Sequence, residues 1–327
     1  MNNTLIVDGH YLMHRLGNIP EYNLTASDGT PTGILFGFIR SLHLYLRSNM
    51  ISRVYCVFDG RRSVRRKAIY PEYKLKHKNK AQTEEEKKAQ EEYKNKFYSQ
   101  REVIKSLLTK MNIRVIQIDS KEGDDVCYKV ANSVKEDSNE IIFYTDDSDY
   151  VQMIPLFKHA IVYRPIKKDI LGEDEETLSK EDVPSLNWFL LKKSIVGDLS
   201  DNIPSAIKGI GDKSVSKLIQ LAAQNEVDPE SDFDTLVKGL INCSNIGGGL
   251  LKRVSNNAEE FKNNLQRNLE LIDLRREEWT TEEEINFQNQ MNQVVSFDEK
   301  YVFETFVKYG IRSLSSVFVE SHFKLLK

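Results

Sequence analysis

Five short apolar runs punctuate the first half of the chain, at residues 4–7, 54–58, 113–118, 141–144 and 160–163. They are rich in β-branched and aromatic side chains and too short for helices, so each is expected to be a strand. Stretches with apolar residues at helical spacing lie between and around them. Residues 31–47 read as a helix with Pro31 suited to its first turn, and residues 126–134 read as another. Residues 150–154 begin a third. Residues 83–110 open polar, with capping-box character at Thr83 and Glu86; up to about Gln100 there is little to bury, so this stretch is expected to project from the core as a helical cover. Strands alternating with helices predict a mostly parallel sheet with helices on both faces.

The pattern changes near residue 180. Residues 169–182 are acidic and loop-like, with Gly172 and Pro184 as punctuation. Beyond them, residues 186–196, 215–224, 261–274 and 301–309 read as helices, and residues 245–249 as a flexible glycine loop. The expected organisation is an α/β core over residues 1–180 and a mostly helical region over 181–327. No repeat or low-complexity tract interrupts either part.

Carboxylates gather where the strands end. The first strand runs into Asp8-Gly9 and the second into Asp59-Gly60; the third is followed by Lys121-Glu-Gly-Asp-Asp125, the fourth by Asp146-Asp-Ser-Asp149. In an open parallel sheet the carboxyl ends of the strands form one edge, the edge at which ligands bind. A single acidic strand end would be an ordinary helix N-terminus, where Asp and Glu complement the macrodipole. Four of them point to a site for hard divalent cations such as Mg²⁺, because crowded carboxylates repel unless a cation compensates them. Asp198 and Asp201, three apart, face one way on a helix or tight turn. His10 and His14, four apart, lack a third soft ligand and read as ordinary histidines of a first helix.

Bulk numbers add limits. The 327 residues suffice for one large or two ordinary domains, and 40% hydrophobic with 29% charged residues belong to a soluble globular chain. No apolar run approaches the roughly 18 residues of a membrane span, and the opening residues lack the basic start of a signal peptide. Cys56, Cys127 and Cys243 have no metal-ligand spacing and suit a reducing compartment. Net charge is only -3, yet residues 61–80 hold nine Lys or Arg against Glu72 alone. That basic stretch, with Tyr70 and Tyr73 interleaved, suits phosphate contacts and base stacking on single-stranded ends. Gly209-Ile-Gly-Asp-Lys213 ahead of a helix could bring backbone N–H groups to a phosphate. It is not a Walker A loop, since Asp212 stands where glycine must precede the lysine.

In order, V-D-G, F-D-G, Y-P-E-Y-K, E-G-D-D, T-D-D-S-D, G-D-L-S-D-N and G-I-G-D-K resemble the structure-specific 5′ nuclease family: flap endonucleases, the 5′ nuclease domains of bacterial DNA polymerases and bacteriophage 5′ exonucleases. The resemblance spans about residues 5–221, and the last hundred residues, including Asn268-Leu-Glu-Leu-Ile-Asp273, look most like the phage RNase H branch. It implies a PIN-like nuclease core with a helical arch near residues 61–110 and a helix-turn element for duplex DNA. Asp8, Asp59, Glu122 and Asp124 would hold a first Mg²⁺, and Asp125, Asp147, Asp149, Asp198 and Asp201 would surround a second, with Mn²⁺ able to substitute. Lys74, Asp124 and Arg66 would be catalytic. Arg61, Arg62, Arg65, Arg66, Tyr73, Lys74, Lys76 and Lys78 would meet DNA around the 5′ end, and Gly209, Ile210, Gly211 and Lys213 would meet the duplex, with K⁺ on the carbonyls of that turn.

The implied activity is Mg²⁺-dependent cleavage near 5′ ends of flapped or nicked DNA and of RNA primers on DNA during phage replication. The setting would be a (host) cytoplasm, the chain a monomer, and the protein partners a single-strand-binding protein and a replication polymerase or clamp. Two departures are visible: His77 stands where many relatives have arginine, and Asp146 is an extra acidic residue taken as structural. The competing readings are a PIN-type ribonuclease, which would leave the G-I-G-D-K element without a purpose, and a non-catalytic binder of branched DNA, which would have no need of every acidic position. A haloacid-dehalogenase-like phosphatase is excluded by Asp8-Gly9-His10, where D-x-D is required.

Overall fold

Alternate residues of the strands face opposite layers, which divides the core in two. Ile6, Tyr55, Val57, Ile116, Ile141, Phe143 and Val162 belong to one apolar cluster; Leu5, Val7, Val54, Cys56, Val115, Ile142 and Tyr144 belong to the other. Both faces are covered, as a parallel sheet requires. A computed structural model describes residues 2–75, 83–311, 313–314 and 322–326.

In chain order the core comprises β1 (Asn3–Asp8), α1 (Gly9–Gly17), α2 (Gly33–Ser48), β2 (Arg53–Val57), α3 (Val64–Ile69), α4 (Glu84–Thr109), β3 (Arg114–Ile116), α5 (Gly123–Val134), β4 (Glu140–Tyr144), a 3₁₀ stretch at Ser148–Leu156, β5 (Ala160–Arg164), β6 (Asp169–Leu171) and α6 (Glu175–Glu181). The sheet order is β3-β2-β1-β4-β5-β6; every pairing is parallel except β5 with β6. The strand order reverses at β1, the position where open α/β sheets present a crevice. Asp8 is the last residue of β1 and sits at that reversal.

After the core come α7 (Phe189–Val196), α8 (Asp212–Gln224), α9 (Phe233–Gly247), α10 (Lys252–Asn256), α11 (Ala258–Ile272), α12 (Thr281–Met291) and α13 (Glu299–Lys308). They do not form a separate apolar core: Leu218, Leu240, Phe261 and Phe287 join the cluster of Ile6 and Phe143, while Val302 and Phe306 of α13 join that of Leu5. No helix among the described residues is long and apolar enough to cross a membrane.

Helix α4 carries the capping box expected at Thr83 and Glu86. Its 26 residues extend about 39 Å, and only Phe97, Gln100, Ile104, Leu107 and Leu108 are buried, while residues 84–89 stand in solvent. Four local expectations are corrected. Pro31 precedes α2, which begins at Gly33 with Thr32 as N-cap, because Pro31 is held in a bridge with Thr25. Residues 148–156 form a 3₁₀ helix, within which Pro155 can donate no α-helical bond. Residues 169–182 are not loop: three residues pair with β5, and Asp174 caps α6 through the Thr177 amide at 2.8 Å. The glycine loop expected at 245–249 is shorter, since α9 runs through Gly247.

Candidate active site

Each acidic side chain at the sheet edge is fixed by a neighbour from another element. Asp8 caps α1: Oδ1 accepts from the Tyr11 amide at 2.9 Å and Oδ2 from the Tyr150 hydroxyl at 3.0 Å. Asp59 Oδ1 accepts from the Gly123 amide at 2.8 Å, joining the loop after β2 to the start of α5. Gly60, in the same loop, lies so close to the Ile118 carbonyl that an added Cβ would meet it at 2.1 Å. Glu122 is the N-cap residue of α5, with Asp124 and Asp125 in its first turn. Among the described residues, Glu122, Asp124 and Asp125 each offer an oxygen within 4.8 Å of the others. Asp147 caps the 3₁₀ stretch through the Asp149 amide at 2.9 Å.

The remaining carboxylates come from the turn after α7. Gly197 has φ of 82°, and an added Cβ would lie 2.5 Å from the Ile203 carbonyl, so the turn depends on glycine. Asp198 and Ile203 bridge each other, and Asp198 Oδ1 accepts from the Ser200 amide at 2.8 Å. The Lys74 amide donates to the Asp201 carbonyl at 2.8 Å, which brings this turn against the basic loop.

Crowding shows in the protonation behaviour. Burial, then Asp59 and Asp147, hold the Asp8 carboxyl well above the usual range. Burial pushes Asp59 up to about 6, with Lys74 pulling the other way. Burial likewise raises Asp124, Asp147 and Asp201. Two groups go down instead. Burial opposes the charge on Glu122, but Lys74 and Arg66 outweigh it; Lys193 does the same for Asp198. The side chains that offset this negative charge are two lysines and one arginine, Lys74, Lys193 and Arg66. The donor set is all oxygen, which suits hard divalent cations rather than thiol- or imidazole-seeking metals.

Lys74 is central. With φ of 51°, it places Nζ 2.8 Å from Glu122 Oε2 and 3.4 Å from Asp201 Oδ2. The surroundings of two residues expected to face DNA differ from expectation. Tyr73, expected as a stacking face, is 1% exposed and donates its hydroxyl to Glu122 at 2.8 Å; it supports the site and presents no ring to a base. Arg66, expected to meet phosphate, is 2% exposed and forms a two-pronged pair with Asp125, both bonds 2.6 Å, while Nε donates to the Leu271 carbonyl at 2.8 Å. Asp125 thus stands among the acidic group with each oxygen accepting one bond from Arg66.

The residues expected to contact DNA differ in exposure and partners. Arg61 is exposed; Arg62 donates to the Lys74 carbonyl at 2.7 Å; Arg65 pairs with Glu270. Lys76, His77 and Lys78 lie outside the described residues. At the glycine turn, Gly209 has φ of 80°, Ile210 is buried, Lys213 is exposed, and Gly211 is the N-cap of α8 with no side chain capping it. Asp146 accepts from the Ile166 and Lys167 amides at 3.1 Å each, a structural task. His10 and His14 stand side by side, Nε2 to Nε2 at 3.1 Å, with His10 Nε2 3.7 Å from Asp59. Burial, and then Arg101, bring His10 down to about 4, so it is neutral there.

Several site residues escape the motifs. Lys193 pairs with both Asp149 and Asp198. Its signal was present: lysines in an otherwise apolar helix, here Lys192 and Lys193, need partners when buried. Tyr150, which holds Asp8, and Ser63, whose amide donates to Glu122 Oε1 at 3.1 Å, gave no such sign.

Residues 3–183 match the family model described as 5'-3' exonuclease, N-terminal resolvase-like domain. The chain is 28% identical over 285 residues to DNA polymerase I of Caldicellulosiruptor bescii, covering 85% of this chain and 31% of that protein. It is 26% identical over 223 residues to a 5'-3' exonuclease of Aquifex aeolicus, covering 67% of this chain and 70% of the relative. The chain thus spans less than a third of the polymerase it matches. Among solved structures, the bacteriophage T5 D15 protein co-crystallised with metal ions aligns over 100% of both chains with a TM-score of 0.63 at 20% identity. A T5 D15 flap endonuclease complex with DNA and metal ions aligns over 94% of this chain and 98% of that one, with a TM-score of 0.64 and 22% identity. At such identities the likeness is one of fold.

Proposed function

The chain belongs to the 5'-3' exonuclease family through its N-terminal resolvase-like domain, and on that premise we propose that it hydrolyses phosphodiesters near the 5′ ends of flapped or nicked DNA and of RNA primers on DNA, with Mg²⁺ as cofactor. The observation that carries this reading is the gathering of carboxylates from four strand ends and one turn around Lys74 Nζ. Asp8, Asp59, Glu122 and Asp124 are the candidates for one ion, and Asp147, Asp149, Asp198 and Asp201 for another. Bound there, divalent cations would supply the acidification of water and the neutralisation of phosphate charge on which such hydrolysis depends.

The chain's own side chains do the rest. Lys74 is the cation at the half-open mouth of the site, positioned to leave its carboxylate partners for the non-bridging oxygens of an arriving phosphate and to offset charge that grows in the transition state. Tyr73, Ser63 and Arg66 hold Glu122 while that happens. Tyr150 and the Gly123 amide hold Asp8 and Asp59, and Lys193 holds Asp149 and Asp198. None of these groups is a nucleophile.

Arg61 and Arg62 on one side and the turn of Gly209, Ile210 and Gly211 with Lys213 on the other would grip a 5′ strand and its duplex. K⁺ on the carbonyls of that turn is part of the same proposal; Arg253, donating to the Lys208 carbonyl at 3.1 Å, already supplies a positive charge beside it. The projecting half of α4 would line the path of the single strand. The RNase H-like activity and a place in phage replication are proposed from the resemblance of the last hundred residues to the phage RNase H branch.

The test compares one flap substrate labelled at its 5′ end or its 3′ end, in DNA and with an RNA flap, in Mg²⁺. Short 5′-labelled products from both flaps are expected. Products released only from 3′ ends, or binding without any cut, would overturn the reading, the second in favour of a non-catalytic branched-DNA binder.

A further inference from the structure

Behind the carboxylate edge lies a tier of buried charge supplied from outside the family-matched residues. The segment 268–278 touches the loops that carry the site. Asn268 Nδ2 donates to the Ser194 and Pro204 carbonyls, each at 2.8 Å, on either side of the turn bearing Asp198 and Asp201. The Ile272 carbonyl and the Leu274 amide clasp the Gln152 side chain at 3.3 and 3.2 Å, just beyond Asp149. The Leu271 carbonyl accepts from Arg66.

The contacts that bear most directly on the placement of Glu122 are those of Glu277. Glu277 is buried; its Oε2 accepts from Ser63 Oγ at 3.2 Å and its Oε1 from Lys121 Nζ at 3.0 Å. Ser63 is the residue whose amide holds Glu122 Oε1. Lys121 immediately precedes Glu122, and its carbonyl accepts from the Gly60 amide at 3.0 Å. One carboxylate thus fixes the loop after β2 and the loop after β3, the two that frame Glu122. Glu283 also meets Lys121, at 3.2 Å, but does not touch Ser63. A buried ion pair adds little net stability, because desolvation offsets its attraction. What such a pair does fix is geometry.

We propose that Glu277 is a positioning residue for the hydrolysis, holding Glu122 in place through Ser63 and Lys121. The inference rests on the nuclease reading and deepens it. Groups that hydrogen-bond a metal-binding side chain typically change metal affinity or activity by about 10–100-fold when altered; Ser63 is such a group for Glu122, and Glu277 acts one contact further back, through it.

The test uses Glu277→Gln, which keeps the shape and an acceptor for Ser63 while removing the charge that faces Lys121, with Glu283→Gln as its control. Four quantities are read: kcat and KM on 5′-flap DNA, the Mn²⁺ dissociation constant of the protein alone by electron paramagnetic resonance, and the urea midpoint. For Glu277→Gln, kcat falls about 10–100-fold with KM within about twofold and Mn²⁺ binding weakens about 10-fold, at a urea midpoint close to that of the parent. For Glu283→Gln, both change by less than about threefold. Should Glu277→Gln fail to fold, the double variant Lys121→Met/Glu277→Gln leaves neither member of the pair charged and carries the same expectation.

Parental kcat and Mn²⁺ affinity in Glu277→Gln would overturn the proposal. So would equal losses in both variants that track their urea midpoints, since Glu277 would then be structural only. A parent protein that binds Mn²⁺ yet cuts no flap would instead overturn the nuclease reading, and the Mn²⁺ comparison would still report on Glu277.

Discussion

Replacing Arg66 with methionine separates a buried counterion from a phosphate-binding arginine. The side chains of Arg66 and Asp125 are 2% and 0% exposed, and two bonds of 2.6 Å join them. Arg66→Met leaves the Asp125 carboxylate buried with no cation and deprives the Leu271 carbonyl of its donor at 2.8 Å. Breaking a buried pair from one side costs about 3–5 kcal/mol, and an unsatisfied buried carbonyl about 1–3 kcal/mol. Against a typical total of about 5–15 kcal/mol, the variant is expected near the limit of folding, at the upper part of the first range. The double variant Arg66→Met/Asp125→Leu removes both charges and recovers most of that loss. Urea unfolding followed by circular dichroism on the four proteins of the cycle measures it. The deficit of the single variant also shrinks in acid: an unpaired buried Asp125 has a folded pKa above its unfolded value, so its stabilising protonated form is complete below about pH 4 and lost as pH rises. A cost under about 1 kcal/mol, as for an exposed pair, or a double variant no more stable than the single one, would refute the reasoning and return Arg66 to the DNA.

Asp124→Asn is expected to abolish Mg²⁺-dependent cleavage nearly completely while flap binding in a mobility-shift assay stays within a few-fold; undiminished cleavage would remove Asp124 from the site. Gly123→Ala should favour the helix locally yet inactivate, because its Cβ would lie 2.3 Å from Asp59 Oδ1; normal activity would show that Asp59 need not stay where it is. Lys74→Ala should lower kcat about 100- to 1,000-fold, the scale for losing a group aimed at developing charge, with KM little changed; a fall confined to KM would make it a binding residue only. In EDTA the melting temperature should fall from pH 4 toward pH 7. Asp8, Asp59, Asp124, Asp147 and Asp201 all have raised folded pKa values, Asp59 near 6, so their stabilising protons are present below about pH 4 and lost as pH rises through about 6. Mg²⁺ should flatten that slope, and a calorimetric scan in which it has no effect would count against a metal site.

The strands, their parallel order and the acidic edge were legible because each signal is local: a β-branched run of four to six residues, then a carboxylate within a few positions. The ordered motifs then identified the family. Side-chain direction was not legible. Tyr73 and Arg66 sit in a basic, aromatic stretch that reads as a DNA surface, yet both turn inward, since Glu122 and Asp125 at the start of α5 require partners that sequence spacing cannot show. Lys193 and Glu277 lie about 44 and 155 residues from the carboxylates they serve, Asp149 and Glu122, so no local pattern identifies their partners. Short elements were missed for another reason: β6 has three residues and no room for alternation.

The most direct test of the central claim is cleavage of a 5′-flap DNA by protein freed of metal with EDTA, then titrated with Mg²⁺. The account predicts no cut in EDTA, full recovery on adding Mg²⁺, and no recovery in Asp124→Asn. Cleavage that persists in EDTA, or that Mg²⁺ cannot restore to the parent protein, would contradict it.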